Sequence, residues 1–80
     1  MTPRERKPVD TSTYTGKFAA HLKALREKKK LSVEELAETS GISRTTLYNW
    51  ESAISQPLIG QLPQLANSLG VKIGKLFPEE

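Results

Sequence analysis

The sequence has no cysteine and a single histidine, and both scarcities exclude whole classes of site. Without cysteine the chain cannot form disulfides or thiolate metal centres, and His21 alone cannot build a zinc site. No run of 18 apolar residues occurs, so the sequence predicts no membrane span. The amino terminus is charged with no apolar stretch behind it, which argues against a secretory signal. We therefore expect a cytoplasmic protein that uses no cofactor and no metal.

Apolar residues are few, yet they suffice for one small core. Leu, Ile, Val and Phe make up 19 of the 80 residues, above the level at which chains usually stay disordered. The charges are unevenly placed: residues 1–30 carry nine Lys and Arg against three acidic residues, whereas residues 31–80 carry three against six. A basic end suits a polyanionic partner, although it equally suits a surface that only keeps the protein soluble.

No alternating strand pattern occurs, and the periodicity predicts helices instead. Residues 1–14 combine proline, threonine and clustered charge without periodicity, so we expect a flexible basic arm ahead of a domain over residues 15–80. Starting at Phe18, apolar residues fall at i, i+4 and i+7, which is one stripe of a helix. This pattern predicts helix 1 over residues 16–29.

Capping residues predict the next two helices. Ser32 is a natural N-cap with a glutamate three residues later, which indicates a capping box and a helix over 33–40. Gly41 ends that helix, because the residue just past a helix often needs a positive φ. Ser43 is a second N-cap and opens helix 3 over 44–52.

The carboxy-terminal part predicts a fourth helix and one last turn. Helix 4 begins near Gly60 or Gln61, so that Pro63 falls in the first turn, where its missing N–H does no harm. Gly70 closes the helix, and a single turn precedes Pro78. The sequence thus predicts an all-α chain of five helices.

Helices 2 and 3 are separated by a short turn that contains glycine, which is typical of a helix-turn-helix. From Val33, positions +4, +8, +14 and +17 fall on Ala37, Gly41, Leu47 and Trp50. Each residue type suits its place: alanine where the helices cross, glycine in the turn, and leucine and tryptophan in the shared core. An ordinary helical hairpin with coincidental spacing is the alternative.

These features make the sequence similar to the phage-repressor and Cro-type (XRE-like) helix-turn-helix domains. The residues that carry the resemblance lie in the first four predicted helices and their connections: Leu22, Leu25, Arg26, Leu31, Ser32, Glu35, Leu36, Ala37, Gly41, Ile42, Ser43, Arg44, Leu47, Trp50, Glu51, Pro57, Leu65, Ala66, Leu69, Gly70 and Val71. The resemblance implies a compact five-helix lambda-repressor-like domain. It also implies that helix 3 enters the major groove of double-stranded DNA while helix 2 crosses the backbone.

The resemblance assigns DNA-contacting residues by position. Arg44, Thr45 and Asn49 fall where the family places base-contacting side chains, and an arginine near the helix start suits a bidentate contact with guanine. Phosphate contacts fall on a second set of positions: Ser43, Val33, Tyr48, Lys17, Ser55 and Gln56. A solvated polar helix face is the alternative for any of these residues.

Arg26 and Glu51 fall where the family has a structural ion pair between helix 1 and the end of helix 3. Two features depart from the family pattern. Val33 stands where many members have a glutamine that binds phosphate, so only its backbone N–H can make that contact. The loop over 52–56 lacks the usual glycine and positive charge, which weakens the expected hold on phosphate and leaves the loop shape open.

The resemblance therefore implies a sequence-specific transcriptional regulator from a prokaryote or phage. We expect a weak homodimer, or a dimer formed on DNA, through Ile54, Leu58, Leu76 or Phe77. The alternative function is a protein-interaction module, such as an antitoxin or a regulator cofactor with the same fold. An enzyme is not expected, because no set of nucleophile, base and orienting residue can be assembled and no phosphate-binding glycine loop occurs.

Overall fold

The computed structural model describes residues 9–78, which contain helices and no strand. The four α-helices are α1 (Tyr14–Lys28), α2 (Val33–Ser40), α3 (Arg44–Glu51) and α4 (Leu62–Leu69). Two short 3-10 helices complete the fold: Ile59–Gln61 leads directly into α4, and Ile73–Leu76 follows it. The all-α prediction is confirmed, and the predicted fifth helix is the second 3-10 turn. No helix of this part of the chain is long and apolar enough to cross a membrane.

Side-chain caps set where the first three helices begin. Thr13 Oγ1 accepts a hydrogen bond from the Gly16 N–H at 3.0 Å, so α1 starts two residues earlier than predicted. The predicted capping box opens α2: Ser32 Oγ accepts from the Glu35 N–H at 3.0 Å, and Glu35 Oε1 accepts from the Ser32 N–H at 2.8 Å. Ser43 Oγ likewise accepts from the N–H three residues on, at 3.2 Å. Each cap satisfies a backbone donor and stabilises its helix by about 1 kcal/mol.

The predicted arm over residues 1–14 lies mostly outside the described residues. Just ahead of α1, the Asp10 carboxylate accepts hydrogen bonds from the Ser12 N–H at 2.9 Å and the Ser12 hydroxyl at 2.6 Å. These bonds, the one from the hydroxyl foremost, lower the pKa of Asp10. Gly16 packs so closely on this turn that a Cβ there would overlap the carbonyl oxygen of Asp10. The turn belongs to the cap of α1, and the flexibility of the residues before it stays a prediction.

All four α-helices are followed by a residue in the left-handed conformation. Gly41 (φ 76°) ends α2 and Gly70 (φ 69°) ends α4, as predicted from their lack of a Cβ. Lys30 (φ 59°) and Ala53 (φ 63°) adopt the same conformation after α1 and α3, although neither is a glycine. In both, the next N–H bonds to a carbonyl five residues back, at 3.1 Å after α1 and 2.9 Å after α3. The loop after α3 therefore makes the usual turn with an alanine in the glycine position.

One hydrophobic core lies between the helices. Its fully buried large side chains are all leucines: Leu22, Leu36, Leu47, Leu65, Leu69 and Leu76. Trp50 is 2% exposed, which confirms that it is a core residue and not a base-stacking one. Because Leu76 is completely buried, the last 3-10 turn closes the core, and Leu76 cannot belong to the dimer surface suggested for it.

Candidate nucleic-acid interface

The turn between α2 and α3 is held from two sides. Within the turn, the Ser40 hydroxyl accepts a hydrogen bond from the Ile42 N–H at 3.2 Å, and the Ile42 side chain is buried. From outside, Gln64 of α4 donates through Nε2 to the Ser40 carbonyl at 2.9 Å. Gly41 turns the chain between these two contacts. The start of α3 is therefore fixed relative to α2, which a helix needs in order to be presented to a groove.

The two sides of α3 differ in exposure. Leu47 and Trp50 point into the core, whereas Arg44, Thr45 and Tyr48 are exposed. These three residues, at i, i+1 and i+4, are referred to below as the outer face of α3. The helix therefore buries one stripe and presents polar and aromatic groups along the opposite one.

Asn49 does not lie on the outer face with the other two predicted base-contacting residues. It is half-buried and lines a groove between α1 and the end of α3, together with Tyr48 and Lys23. Its carbonyl accepts hydrogen bonds from the N–H groups of Ile54 at 2.9 Å and Ser55 at 3.3 Å. The structure thus brings Arg44 and Thr45 together and places Asn49 at the edge of their surface.

Within the part of the chain that the structure describes, Arg44 has one ionic contact, and its partner is on α2. Its Nη1 lies 3.5 Å from Glu34 Oε2, and both side chains are more than half exposed, at 61% and 57%. Glu34 was not singled out from the sequence. The signal that could have found it is a glutamate in the first turn of one helix and an arginine in the first turn of the next, since the turn between them brings the two helix starts within reach.

The predicted phosphate-contacting residues are spread over three helices and the connection between α3 and α4. The Ser43 hydroxyl is engaged at the cap of α3, where it also donates to the Thr46 hydroxyl at 2.9 Å. The Val33 side chain is buried, and its backbone N–H is one of the first-turn donors of α2 that lack a partner within the helix. Lys17 is half-buried in the first turn of α1. Tyr48 lies on the outer face of α3.

Ser55 and Gln56 lie exposed on the connection between α3 and α4. The Thr15 hydroxyl donates to Gln56 Oε1 at 3.4 Å, which ties this connection to the first turn of α1. The structure therefore places these two residues and Lys17 on adjoining elements.

Arg26 and Glu51 form a two-bond ion pair. Arg26 Nε donates to Glu51 Oε2 at 2.7 Å and Nη2 donates to Oε1 at 3.0 Å, while Nη1 donates to the Leu31 carbonyl at 2.8 Å. The side chains are only 11% and 7% exposed. Hydrogen bonding to the Glu51 carboxylate raises the pKa of Arg26. The pair joins α1, the connection to α2 and the end of α3. It is nearly buried, so it holds these three elements together behind the exposed face of α3.

Among residues 9–78, no three His, Cys, Asp or Glu side chains come close enough to hold a metal ion. The chemistry that the site offers is that of side-chain and backbone hydrogen bonds together with the exposed guanidinium of Arg44. Such a surface can recognise a polyanion or the edges of bases.

Comparison with known families assigns this fold and site to a class. A family model described as helix-turn-helix, HTH_3, matches residues 22–76, which is most of the chain. The protein therefore belongs to the HTH_3 helix-turn-helix family of DNA-binding transcriptional regulators, which are generally not enzymes. The resemblance to XRE-like domains is thereby confirmed. No curated protein matches the chain.

Solved structures of similar fold include a restriction-modification controller protein, C.AhdI from Aeromonas hydrophila. It is 33% identical, with a TM-score of 0.73 over 76% of this chain and 92% of that one. An HTH_3 family transcriptional regulator from Vibrio cholerae is 28% identical, with a TM-score of 0.74 over 79% of this chain and 35% of that one. The hypothetical transcription factor NHTF from Neisseria, 24% identical, has a TM-score of 0.76 over 92% of this chain and 85% of that one. The last likeness concerns the fold alone.

Proposed function

We propose that the protein is a sequence-specific regulator that reads the major groove of double-stranded DNA with α3. The observation that carries the proposal is the division of α3 into two faces, with Leu47 and Trp50 in the core and Arg44, Thr45 and Tyr48 exposed. An exposed helix face that starts at a cap and follows a fixed turn suits insertion into the groove. Such a regulator acts in the cytoplasm of a prokaryotic cell.

In this proposal Arg44 supplies most of the discrimination between sequences. The guanidinium can donate two parallel hydrogen bonds to O6 and N7 of guanine, which no other base pair accepts in the same way. Arg44 is also the only Lys or Arg between Lys30 and Lys72. Thr45 offers a hydroxyl and a methyl group for a phosphate or a thymine methyl, and Asn49 offers an amide at the edge of the face.

The remaining contacts go to the DNA backbone and fix the register of the protein. Tyr48 contributes its hydroxyl, and the first turn of α2 contributes the N–H of Val33 at the positive end of the helix dipole. The other backbone contacts come from the rim of the site: Ser43, Lys17, Ser55 and Gln56.

The test begins by selecting duplexes from a random pool with the wild-type protein, which supplies a preferred site. Arg44→Ala is then measured against that site and its single-base variants. We expect a loss of about 1–3 kcal/mol in binding free energy, with relaxed choice at one base pair. Lys72→Ala removes an exposed positive charge from the far end of the chain and is the matched control.

Three outcomes are informative. Loss of discrimination at one base pair supports the proposal, whereas equal weakening on every duplex would make Arg44 a backbone contact only. Unchanged binding of Arg44→Ala would place the DNA-reading surface elsewhere. Circular dichroism and thermal unfolding must first show that the variant is folded, which the exposure of Arg44 predicts.

We further propose that the protein binds DNA as a homodimer, since helix-turn-helix proteins use paired half-sites. Residues 52–71 contain no charged side chain, in a chain that is 26% charged. Within this segment Leu58 and Ile59 are 72% and 82% exposed, beside an apolar groove that Phe18, Leu62 and Phe77 help to line. Depletion of charge around exposed apolar side chains is the composition of an interface core. We assign this surface to a second copy of the chain.

The dimer is tested by sedimentation of the free protein and of its complex with DNA. Ile59→Asp places a charge in the proposed interface, and Asn67→Asp places the same charge on an exposed polar position of α4 as a control. We expect Ile59→Asp alone to abolish the dimer and to weaken binding to a paired site. Equal sedimentation of both variants and the wild type as monomers, on and off DNA, would contradict the assignment.

One observation favours a protein-interaction module as the second candidate. Helix α2, which would cross the DNA backbone, carries Glu34, Glu35 and Glu38 and no basic residue. A salt titration separates the two functions, because a protein that contacts phosphates loses duplex affinity steeply as salt rises. A protein-interaction module would bind no duplex even at low salt.

A further inference from the structure

Arg44 stands at an unfavourable place for its charge. It is the first residue of α3, and the amino-terminal end of a helix carries a partial positive charge that repels cations. Glu34 and Glu35 occupy the first turn of α2, where the same partial charge is favourable for them. Glu35 is committed to the capping box through its Oε1. Glu34 is therefore the carboxylate left to compensate Arg44.

The contact between Glu34 and Arg44 is built to be exchanged. It consists of a single bond at 3.5 Å between side chains that are 57% and 61% exposed. An exposed pair of this length has a small interaction energy and breaks readily when a better partner arrives. It nevertheless sets the starting position of the guanidinium in the free protein.

Among the described residues, Arg44 is the one cation on this surface. The shallow depression between α2 and the start of α3 is lined by Glu34, Ala37, Glu38, Gly41, Ile42, Ser43 and Arg44. Within residues 9–78, Glu38 forms no ion pair, so it supplies a second negative charge on the same side. A phosphate that approaches Arg44 here competes with the carboxylate of Glu34 and is repelled by the carboxylate of Glu38.

We infer that Glu34 is a positioning residue for DNA recognition, which holds Arg44 in the free protein and competes with DNA for it. The inference rests on the function proposed above. On a random duplex, Arg44 exchanges one anion for another with little gain, so it stays on Glu34. At the preferred site a guanine offers two acceptors in the geometry of the guanidinium, and Arg44 leaves Glu34. Glu34 thereby withholds Arg44 from backbone phosphates on random DNA, and binding at the preferred site includes the cost of breaking one ion pair.

The experiment compares Glu34→Gln with Glu38→Gln, which removes the same charge from the same helix without removing an ion pair. Both are measured on the duplex selected by the wild type and on a random-sequence duplex of equal length, over a range of salt. For Glu34→Gln we expect random-duplex affinity to rise about two- to fivefold at 50 mM salt, with a salt slope steeper by about 0.9, because Arg44 gains one phosphate. On the selected duplex we expect a rise at least as large, with no change of slope, because the cost of breaking the pair is removed.

Dependence on Arg44 separates this role from a general effect of charge. In the Arg44→Ala background, Glu34→Gln and Glu38→Gln should raise affinity equally on both duplexes. If Glu34→Gln and Glu38→Gln also raise affinity equally when Arg44 is present, Glu34 is an ordinary surface charge and the inference is wrong. If the wild type binds no duplex at all, the proposed function fails and the role of Glu34 fails with it, so the two failures are told apart by the wild type alone.

Discussion

The buried ion pair between Arg26 and Glu51 makes a quantitative prediction about stability. Arg26→Ala removes both bonds to Glu51 and the bond to the Leu31 carbonyl, and it leaves a carboxylate with 7% side-chain exposure. Breaking a buried pair in this way costs about 3–5 kcal/mol. Glu51→Ala removes two bonds and leaves Arg26 its bond to Leu31, so it should cost about 1 kcal/mol less. The double variant should cost less than the sum by about 1.5–3 kcal/mol.

Trp50 provides the assay. It is the only tryptophan in the chain and is 2% exposed, so its fluorescence changes when the core opens. Urea unfolding followed by this signal gives the free energy of unfolding of each variant, and an unchanged slope with denaturant shows that the same transition is measured. A domain of this size has a stability of roughly 4–12 kcal/mol, so the expected losses would leave some variants partly unfolded. Those variants are measured at low temperature or in sulfate, which stabilises the folded state.

Two further variants sharpen the result. Glu51→Gln keeps the shape of the side chain and one acceptor for Arg26, so it should cost less than Glu51→Ala. Replacing both partners by Arg26→Met and Glu51→Leu should be nearly neutral, because no buried charge is left unpaired. If the double variant of the cycle loses as much stability as the two single variants together, the direct coupling that the two short bonds indicate is refuted.

Three other predictions follow from the backbone and the arm. Ala53→Gly should stabilise by about 0.5 kcal/mol, and Lys30→Gly should act in the same direction, because each relieves a left-handed residue that carries a Cβ; a fall in melting temperature for both would contradict it. Gly16→Ala should destabilise the fold by about 1–3 kcal/mol, because its Cβ would overlap the turn before α1. Gly74→Ala is the control: its Cβ meets open space, so stability should change by under about 0.5 kcal/mol. Deleting residues 1–8 should leave the melting temperature unchanged and reduce the salt slope of DNA binding by about 1–3, since three basic residues are lost; an unchanged slope would show that the arm makes no contact.

The starts of α2 and α3 were predictable from the sequence because the capping signal is local. Ser32 and Ser43 each satisfy a backbone donor three residues away, and no distant part of the chain is needed to form the bond. Glycine marks the ends of α2 and α4, at Gly41 and Gly70, and α1 and α3 end within one residue of the predicted positions. Lys30 and Ala53 adopt the same conformation without that mark, and the hydrogen bonds that close the two turns, from the N–H groups of Leu31 and Ile54, offset the local cost of a positive φ.

The candidate site was predictable in part for a similar reason. Positions on α3 follow from the helical period, so the exposure of Arg44 and Thr45 could be expected from the inward place of Leu47 and Trp50. The half-burial of Asn49 depends on how closely α1 approaches the end of α3, and the contact with Glu34 depends on the angle between two helices. Neither quantity is set by spacing along the chain.

The two arginine–glutamate pairs show why burial and not chemistry decides what such a pair does. Around Arg26 and Glu51 water is nearly absent, so separating the charges would leave both without a substitute partner, and the pair is fixed for as long as the domain is folded. Around Arg44 and Glu34 water and salt are present on both sides, so either charge can be transferred to another partner at little cost. A guanidinium that must be rigid for the fold therefore belongs under α3. A guanidinium that is to exchange its partner for a base belongs at the exposed start of α3, where a carboxylate binds it only weakly.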